Sequence, residues 1–280
     1  MIDRGGSHNR SLTAIQASRG NSRLPVLLYH HVGPVRVGTY PSLTIPPKRF
    51  ERQIRWLADR HFSGVSSSDL LGWLREGRPL PPRPVLLTFD DGYADLADFA
   101  FPVLRRYGFG AIAFLVSGQI GKTNNWDEAN GSGTHRLLTT PQIRDWSARG
   151  IEFGAHGRTH ADLTLRETDV LGEVAGSAAD LEELLGQKAS SFAYPHGAFD
   201  AGARASVVRF FDLAFTARSG LNDARTDGYL LHRTMVQPDD RLLDLRCRVT
   251  IGLSPVESLR GAVRFRTRMR AARRLLQRQF

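Results

Sequence analysis

A chain of 280 residues, 41% of them hydrophobic, is long enough to bury a sizeable core as one domain. Its single cysteine, Cys247, excludes an intrachain disulfide framework, and no run approaches the roughly 20 apolar residues of a membrane-spanning helix. The net charge of +10 is concentrated: residues 260–280 hold eight arginines and no acid, which leaves about +2 for the rest and argues against a specific nucleic-acid-binding body.

Residues 1–23 are polar, rich in Arg, Ser and Gly, and lack an apolar signal-peptide core, so a flexible N-terminal arm and a cytoplasmic location are expected. Val26–Tyr29 reads as a strand. His30 and His31 follow it on alternating sides, and His30 is the one expected to face a site. Pro46–Arg60 predicts a helix with Phe50, Ile54 and Leu57 on one face, and Ser68–Arg75 a second. Pro84–Leu87 is a buried strand ending in Thr88-Phe89-Asp90-Asp91-Gly92. Helix is expected over Asp95–Tyr107, strand over Ala111–Val116, and a long turn-rich loop over Gly118–Leu138 containing Asn124-Asn125-Trp126-Asp127. A helix from Thr140 to Arg149 feeds a strand at Ile151–Ala155, followed by His156-Gly157-Arg158-Thr159-His160. The pattern continues with helix Thr164–Leu185, strand Ser191–Tyr194, helix Asp200–Phe210, and strands Leu213–Thr216 and Leu230–Val236. Strands alternating with helices predict a mainly parallel sheet. In a barrel, the strand ends carrying Asp90, His156 and Tyr194 would share one mouth.

Two clusters carry chemistry. Adjacent carboxylates at a strand end point in different directions, so Asp90 and Asp91 can divide the work, one binding a cation and the other handling a proton. Taken alone, Asp-Asp-Gly is better read as a βα turn whose Asp caps the next helix. On a helical turn, His156 and His160 would share a face and one ion, and two imidazoles with one carboxylate describe an open zinc-type site. The zinc-protease motif fails, because Gly157 stands where its catalytic Glu belongs.

Together with Ser191-Phe192-Ala193-Tyr194-Pro195-His196-Gly197, these segments resemble the polysaccharide deacetylase family, carbohydrate esterase family 4, from about Pro25 to about Ile251. The opening Pro25–Val32 looks like the exopolysaccharide-acting branch. The resemblance implies a distorted, partly open (β/α) barrel. It makes Asp90 the catalytic base and Asp91, His156 and His160 the ligands of a divalent metal, zinc first, with cobalt, nickel or manganese as alternatives. It draws an oxyanion donor from His196 and a general acid from His232. Two departures stand out: Ala193 occupies the place of an arginine that usually holds the base, and Leu230 and His232 are only two apart where the family has Leu-x-x-His.

Residues 24–254 are thus expected to form the catalytic domain. Tyr194, Trp126, Asp127 and His30 join His196 as candidate substrate contacts; Trp126 fits a sugar-stacking ring or a loop anchor. Residues 255–280 form a basic tail suited to peripheral contact with an anionic membrane, or to packing on the barrel. The expected activity is hydrolytic removal of N-acetyl groups from a bacterial polysaccharide or oligosaccharide. The alternatives are a deacylase or deformylase of a lipid-linked sugar and a carbohydrate-binding member of the fold without turnover.

Overall fold

The computed structural model describes residues 23–35, 43–130 and 133–254. The expected arm over 1–23, apart from Arg23, and the basic tail over 255–280 lie outside the described residues. In chain order, strands β1 (Val26–Tyr29), β2 (His31–Val32) and β3 (Thr44–Ile45) precede helix α1 (Pro47–Ala58). Pro47, with its missing N–H and fixed φ, opens that helix, and Phe50, Ile54 and Leu57 form its buried face. Strand β4 (Ser63–Gly64) leads to α2 (Ser67–Glu76), which starts on a Ser66–Asp69 capping box and ends at left-handed Gly77. Strand β5 (Pro84–Phe89) follows.

The expected helix over Asp95–Tyr107 divides into a π-turn (Leu96–Ala100) and α3 (Phe101–Arg106). Pro102 cannot donate to the carbonyl of residue 98, and the Phe101 N–H instead reaches Leu96 O, five residues back. Strand β6 (Ala111–Leu115), α4 (Thr140–Ala148) and β7 (Ile151–Ala155) come next. Helix α5 (Val170–Leu185) starts six residues later than expected. Asp162 Oδ1 accepts from the Thr164 N–H at 2.8 Å and its hydroxyl at 2.7 Å, which holds a turn, and Asp169 then caps the helix. Strand β8 (Ser191–Ala193), α6 (Ala201–Phe210), β9 (Leu213–Phe215), β10 (Thr234–Met235) and α7 (Leu242–Ile251) complete the chain; α7 was not expected.

The main sheet is parallel throughout, in the order β10-β1-β5-β6-β7-β8-β9, with β4 beside the start of β5. It curls until its ends nearly meet. Leu231, three residues before β10, pairs with Phe215 of β9, while Thr234 and Met235 pair with Leu27 and Leu28 of β1. The expected continuous strand over Leu230–Val236 is broken because it changes neighbours at this seam. Between the two pairings, the buried Asn222 side chain takes the role of a strand. Its Oδ1 accepts from the His232 N–H and its Nδ2 donates to His232 O, both at 2.9 Å. The result is a distorted barrel of the (β/α) type.

Strand residues alternate between two cores. Leu27, Leu87, Ala113 and Leu115 face the surrounding helices, whereas Val26, Leu86, Ile112, Phe114, Ala193, Leu213, Phe215 and Leu231 fill the interior. Helix α2 adds Leu70 and Trp73 to the interior cluster, and its Ser67 N–H donates to Glu152 near the start of β7 at 3.1 Å. That end of the barrel is therefore plugged, and the opposite end, where the strands finish, holds the open chemistry.

Candidate active site

The inward alternation continues past the strand ends. On β1 it runs from Val26 through Leu28 to His30, on β5 from Leu86 through Thr88 to Asp90, and on the closing segment from Leu231 through Arg233 to Met235. Leu28, His30, Asp90 and Met235 line a cavity of about 200 Å³ together with Leu43, Asp91, Trp126, Asp127, His156, His160, His196, Gly197 and Ala217.

Asp90 is buried and gripped by a guanidinium that is itself only 1% exposed. Arg233 Nη1 donates to Oδ1 at 2.6 Å and Nη2 to Oδ2 at 2.8 Å, a two-pronged charge-assisted pair, while Arg233 Nε donates to Thr216 O at 2.9 Å. Asp91 leaves the strand in the left-handed region, with φ 71°, and Gly92 continues the turn at φ 72°. Its Oδ1 is buried without a hydrogen-bond partner and lies 3.5 Å from His156 Nε2 and 3.3 Å from His160 Nε2.

Both imidazoles reach Asp91 by a route other than the expected helical turn. His156 follows β7 directly, and the chain then bends through Gly157 (φ 74°) to His160 (φ 66°), conformations that a right-handed helix excludes. Only five non-glycine residues among those described have positive φ, and three of them, Asp91, His160 and His196, line this cavity. Each such residue costs on the order of 1–3 kcal/mol, so the surrounding packing holds strain where the ligand groups meet.

Burial by itself would raise both carboxyls. Against it, the Arg233 charge, with His156 and His30, holds Asp90 below the ordinary carboxylate range. His160, His30 and His156 hold Asp91 far below it. Burial pushes His156 down to about 4 and lowers His30 and His196. His156 is therefore neutral near pH 7, and its Nδ1 lies 2.7 Å from Ala193 O, which places the proton on Nδ1 and the lone pair on Nε2.

These residues fit a divalent cation. Asp91, His156 and His160 each offer a ligand atom within 4.8 Å of the others, from two imidazoles and a carboxylate. Tetrahedral bonds of about 2.1 Å separate ligand atoms by roughly 3.4 Å. The observed 3.3 and 3.5 Å match that spacing, and Asp91 Oδ1 is a buried acceptor with no other use.

Trp126 and Asp127 reach the cavity on the loop between β6 and α4. Buried Asn124 organises that loop: Oδ1 accepts from the His135 N–H at 2.5 Å and Nδ2 donates to Asp127 Oδ2 at 3.3 Å. The Trp126 ring stacks on His160, with centroids 4.8 Å apart, so one of its faces is already committed. His30 lines the cavity, whereas His31 turns to Asp95, with Nδ1 2.7 Å from Oδ2.

Two expected site residues lie elsewhere. Tyr194 alternates with inward Ala193, so its ring faces the helices between Phe192 and Phe199, and its hydroxyl donates to Tyr229 O at 3.2 Å. His232 alternates with inward Arg233, is absent from the cavity lining, and packs its ring beside Gly220. Arg233 itself escaped the sequence reading, as did the apolar wall of Leu28, Leu43, Ala217 and Met235.

The family profile described as polysaccharide deacetylase matches residues 77–210. YxkH of Bacillus subtilis, which bears a polysaccharide deacetylase name, is 27% identical over 219 residues, covering 78% of this chain and 72% of its own length. The poly-beta-1,6-N-acetyl-D-glucosamine N-deacetylase of Staphylococcus epidermidis is 24% identical over 209 residues, covering 71% and 70%. Among solved structures, IcaB from Ammonifex degensii matches with a TM-score of 0.67 at 26% identity, over 79% of this chain and 94% of that one. The Streptococcus pyogenes deacetylase PplD matches with a TM-score of 0.70 at 22% identity, over 84% and 99%, a likeness of fold alone. With the curled parallel sheet, the profile and these relatives in agreement, residues 77–210 carry a polysaccharide deacetylase domain and the chain is a hydrolase of the deacetylase class.

Proposed function

We propose that this chain is a metal-dependent N-deacetylase acting on a bacterial exopolysaccharide rich in N-acetylglucosamine, or on oligosaccharides of it. The observation that carries the proposal is the convergence of Asp91, His156 and His160 beside an Asp90 held ionised by Arg233. The S. epidermidis relative's name supplies the sugar class.

A divalent ion bound by those three residues supplies Lewis acidity toward the acyl carbonyl and acidifies a water. Two imidazoles and one carboxylate suit zinc, with cobalt, nickel or manganese as alternatives. Asp90 takes the proton of the attacking water on a carboxylate oxygen, and Arg233 keeps that oxygen oriented and charged beforehand. The His196 backbone N–H, at a kink with φ 58°, is the proposed donor to the tetrahedral oxyanion. Asp127 accepts from a sugar hydroxyl, and Trp126 shields one face of His160 from water. The departing amine needs a proton, and with His232 outside the cavity the other lining imidazoles, His30 and His196, are the groups in reach.

A binding-only member of the fold has two grounds in the sequence: Ala193 in place of the usual arginine, and the uncertain general acid. Arg233 supplies the guanidinium from the segment before β10, which answers that ground; the other ground, the unassigned acid, is left to the acetate-release test below. The arginine-rich residues 260–280 are proposed to hold the enzyme against the anionic cytoplasmic face of a membrane.

Acetate release from N-acetylglucosamine oligomers, measured with and without a chelator, tests the assignment. Metal-dependent acetate that disappears in Asp90→Asn is expected. Formate without acetate from matched acyl sugars would replace it with a deformylase. Binding of oligomers with no acyl release would replace it with a carbohydrate-binding protein.

A further inference from the structure

The turn that joins the two histidines is clamped from outside by α5. Glu173, nine-tenths buried on the first turns of that helix, sets its carboxylate into the bend between the ligands. Its Oε2 accepts from the Arg158 N–H at 2.7 Å and the Thr159 N–H at 3.0 Å, and its Oε1 accepts from the Thr159 hydroxyl at 2.7 Å. Seven residues on, and so on the same helix face, Asp180 receives Arg158 Nε at 2.9 Å and the Ser117 hydroxyl at 2.6 Å. Two glycines make the approach possible. A Cβ on Gly157 would stand 2.8 Å from Glu173 Oε2, and one on Gly176 would stand 2.2 Å from Arg158 Cδ.

We propose that Glu173 is a positioning residue for the ion site. Gripping residues 158 and 159, it fixes His160 at its left-handed φ and holds Nε2 at the distance from Asp91 that a shared ion requires. Glu173 touches neither ion nor substrate; it acts through the turn. Left without that carboxylate, the two N–H groups would seek other partners and the turn would relax toward conformations that carry His160 away.

The inference rests on the metal assignment above, and its test reads the metal directly. Full-length Glu173→Gln keeps the size but loses the second acceptor oxygen and the charge. Thr159→Val removes one hydroxyl and leaves all charges in place. Co²⁺ and Zn²⁺ affinities are measured by dye competition, with the visible spectrum of the Co²⁺ form and the melting of the metal-free protein. Both variants are expected to bind metal on the order of 10–100-fold more weakly, with an altered Co²⁺ spectrum. Metal-free Thr159→Val is expected to melt close to the unaltered protein. Unchanged affinities in both variants, even with lowered melting, would show an ordinary structural contact and overturn the proposal. Weakening confined to Glu173→Gln would show a simple charge effect and overturn it as well. Should Glu173→Gln fail to fold, Thr159→Val decides alone. An unaltered protein that binds neither ion sinks the metal assignment itself, and this inference with it.

Discussion

Replacing Arg233 by Met removes one half of a buried ion pair and leaves Asp90 charged, 4% exposed and without its guanidinium. Stranding one partner in this way typically costs about 3–5 kcal/mol, and here Thr216 O loses its Nε donor too. For a chain of this size each kcal/mol lowers the melting temperature by roughly 2–4 °C, so a fall on the order of 10 °C is expected at pH 7.5. The loss should depend on pH. In the unaltered protein Asp90 titrates below its ordinary value, so its contribution is present above about pH 4 and is lost as pH falls through the folded value. In the variant, burial acts unopposed by Arg233 and raises that carboxyl. The variant then regains part of its deficit as Asp90 protonates on acidification. Melting curves of both proteins without metal from pH 8 to pH 4.5, with deacetylase rates over the same range, read both effects. The acid limb of the variant's rate profile should move to higher pH. Arg233→Lys, which keeps the charge but not the fork, should fall between the two. A melting deficit under about 1 kcal/mol, or one that does not narrow on acidification, would refute the reasoning.

Asp90→Asn is expected to retain metal while turnover falls on the order of 10²–10⁴-fold, and Asp91→Asn to lose metal first, with activity partly restored by excess ion; equilibrium dialysis beside rate measurements separates them, and the opposite pattern would exchange the roles. His156 takes its proton near 6.5 when unfolded but only at about 4 when folded, so the metal-free protein should lose up to about 3 kcal/mol as pH drops from 6.5 to 4, a slope that His156→Gln should flatten. Chemical denaturation at several pH values measures that slope, and equal slopes in both proteins would contradict the assigned shift. Deleting residues 260–280 should spare the hydrolysis of a small acetylated sugar and weaken sedimentation with anionic vesicles at low salt; unchanged sedimentation would remove the membrane role.

The carboxylates and imidazoles were legible because their signal is local: each pair lies within five residues of sequence, at the end of an apolar run. Arg233 was not, because what gives it meaning is a partner 143 residues away. The strand around it is visible in the sequence, but His232 stands one residue away, and in a period of two that one residue selects the opposite face. The same parity misplaced Tyr194, whose neighbour Ala193 holds the inward position. His-x-x-x-His spacing suggested a helix, and Gly157 was the available sign against it, since glycine there permits the left-handed bend that Glu173 occupies. Helix α7 went unseen because Leu242, Leu245 and Val249 give only a weak stripe; its start at Arg241–Asp244 and its stop at Gly252 were the better signals.

The guanidinium that holds Asp90 is carried by the very segment that seals the barrel between Phe215 and Leu27. In vectorial synthesis that segment emerges after every other strand of the main sheet. Until it docks, Asp90 lacks the two-pronged Arg233 partner that fixes the direction of its carboxylate. On the proposed mechanism a chain with an open seam holds its base unoriented even with both histidines in place, so the onset of catalysis during refolding is expected to report the closing of the seam rather than the formation of the sheet.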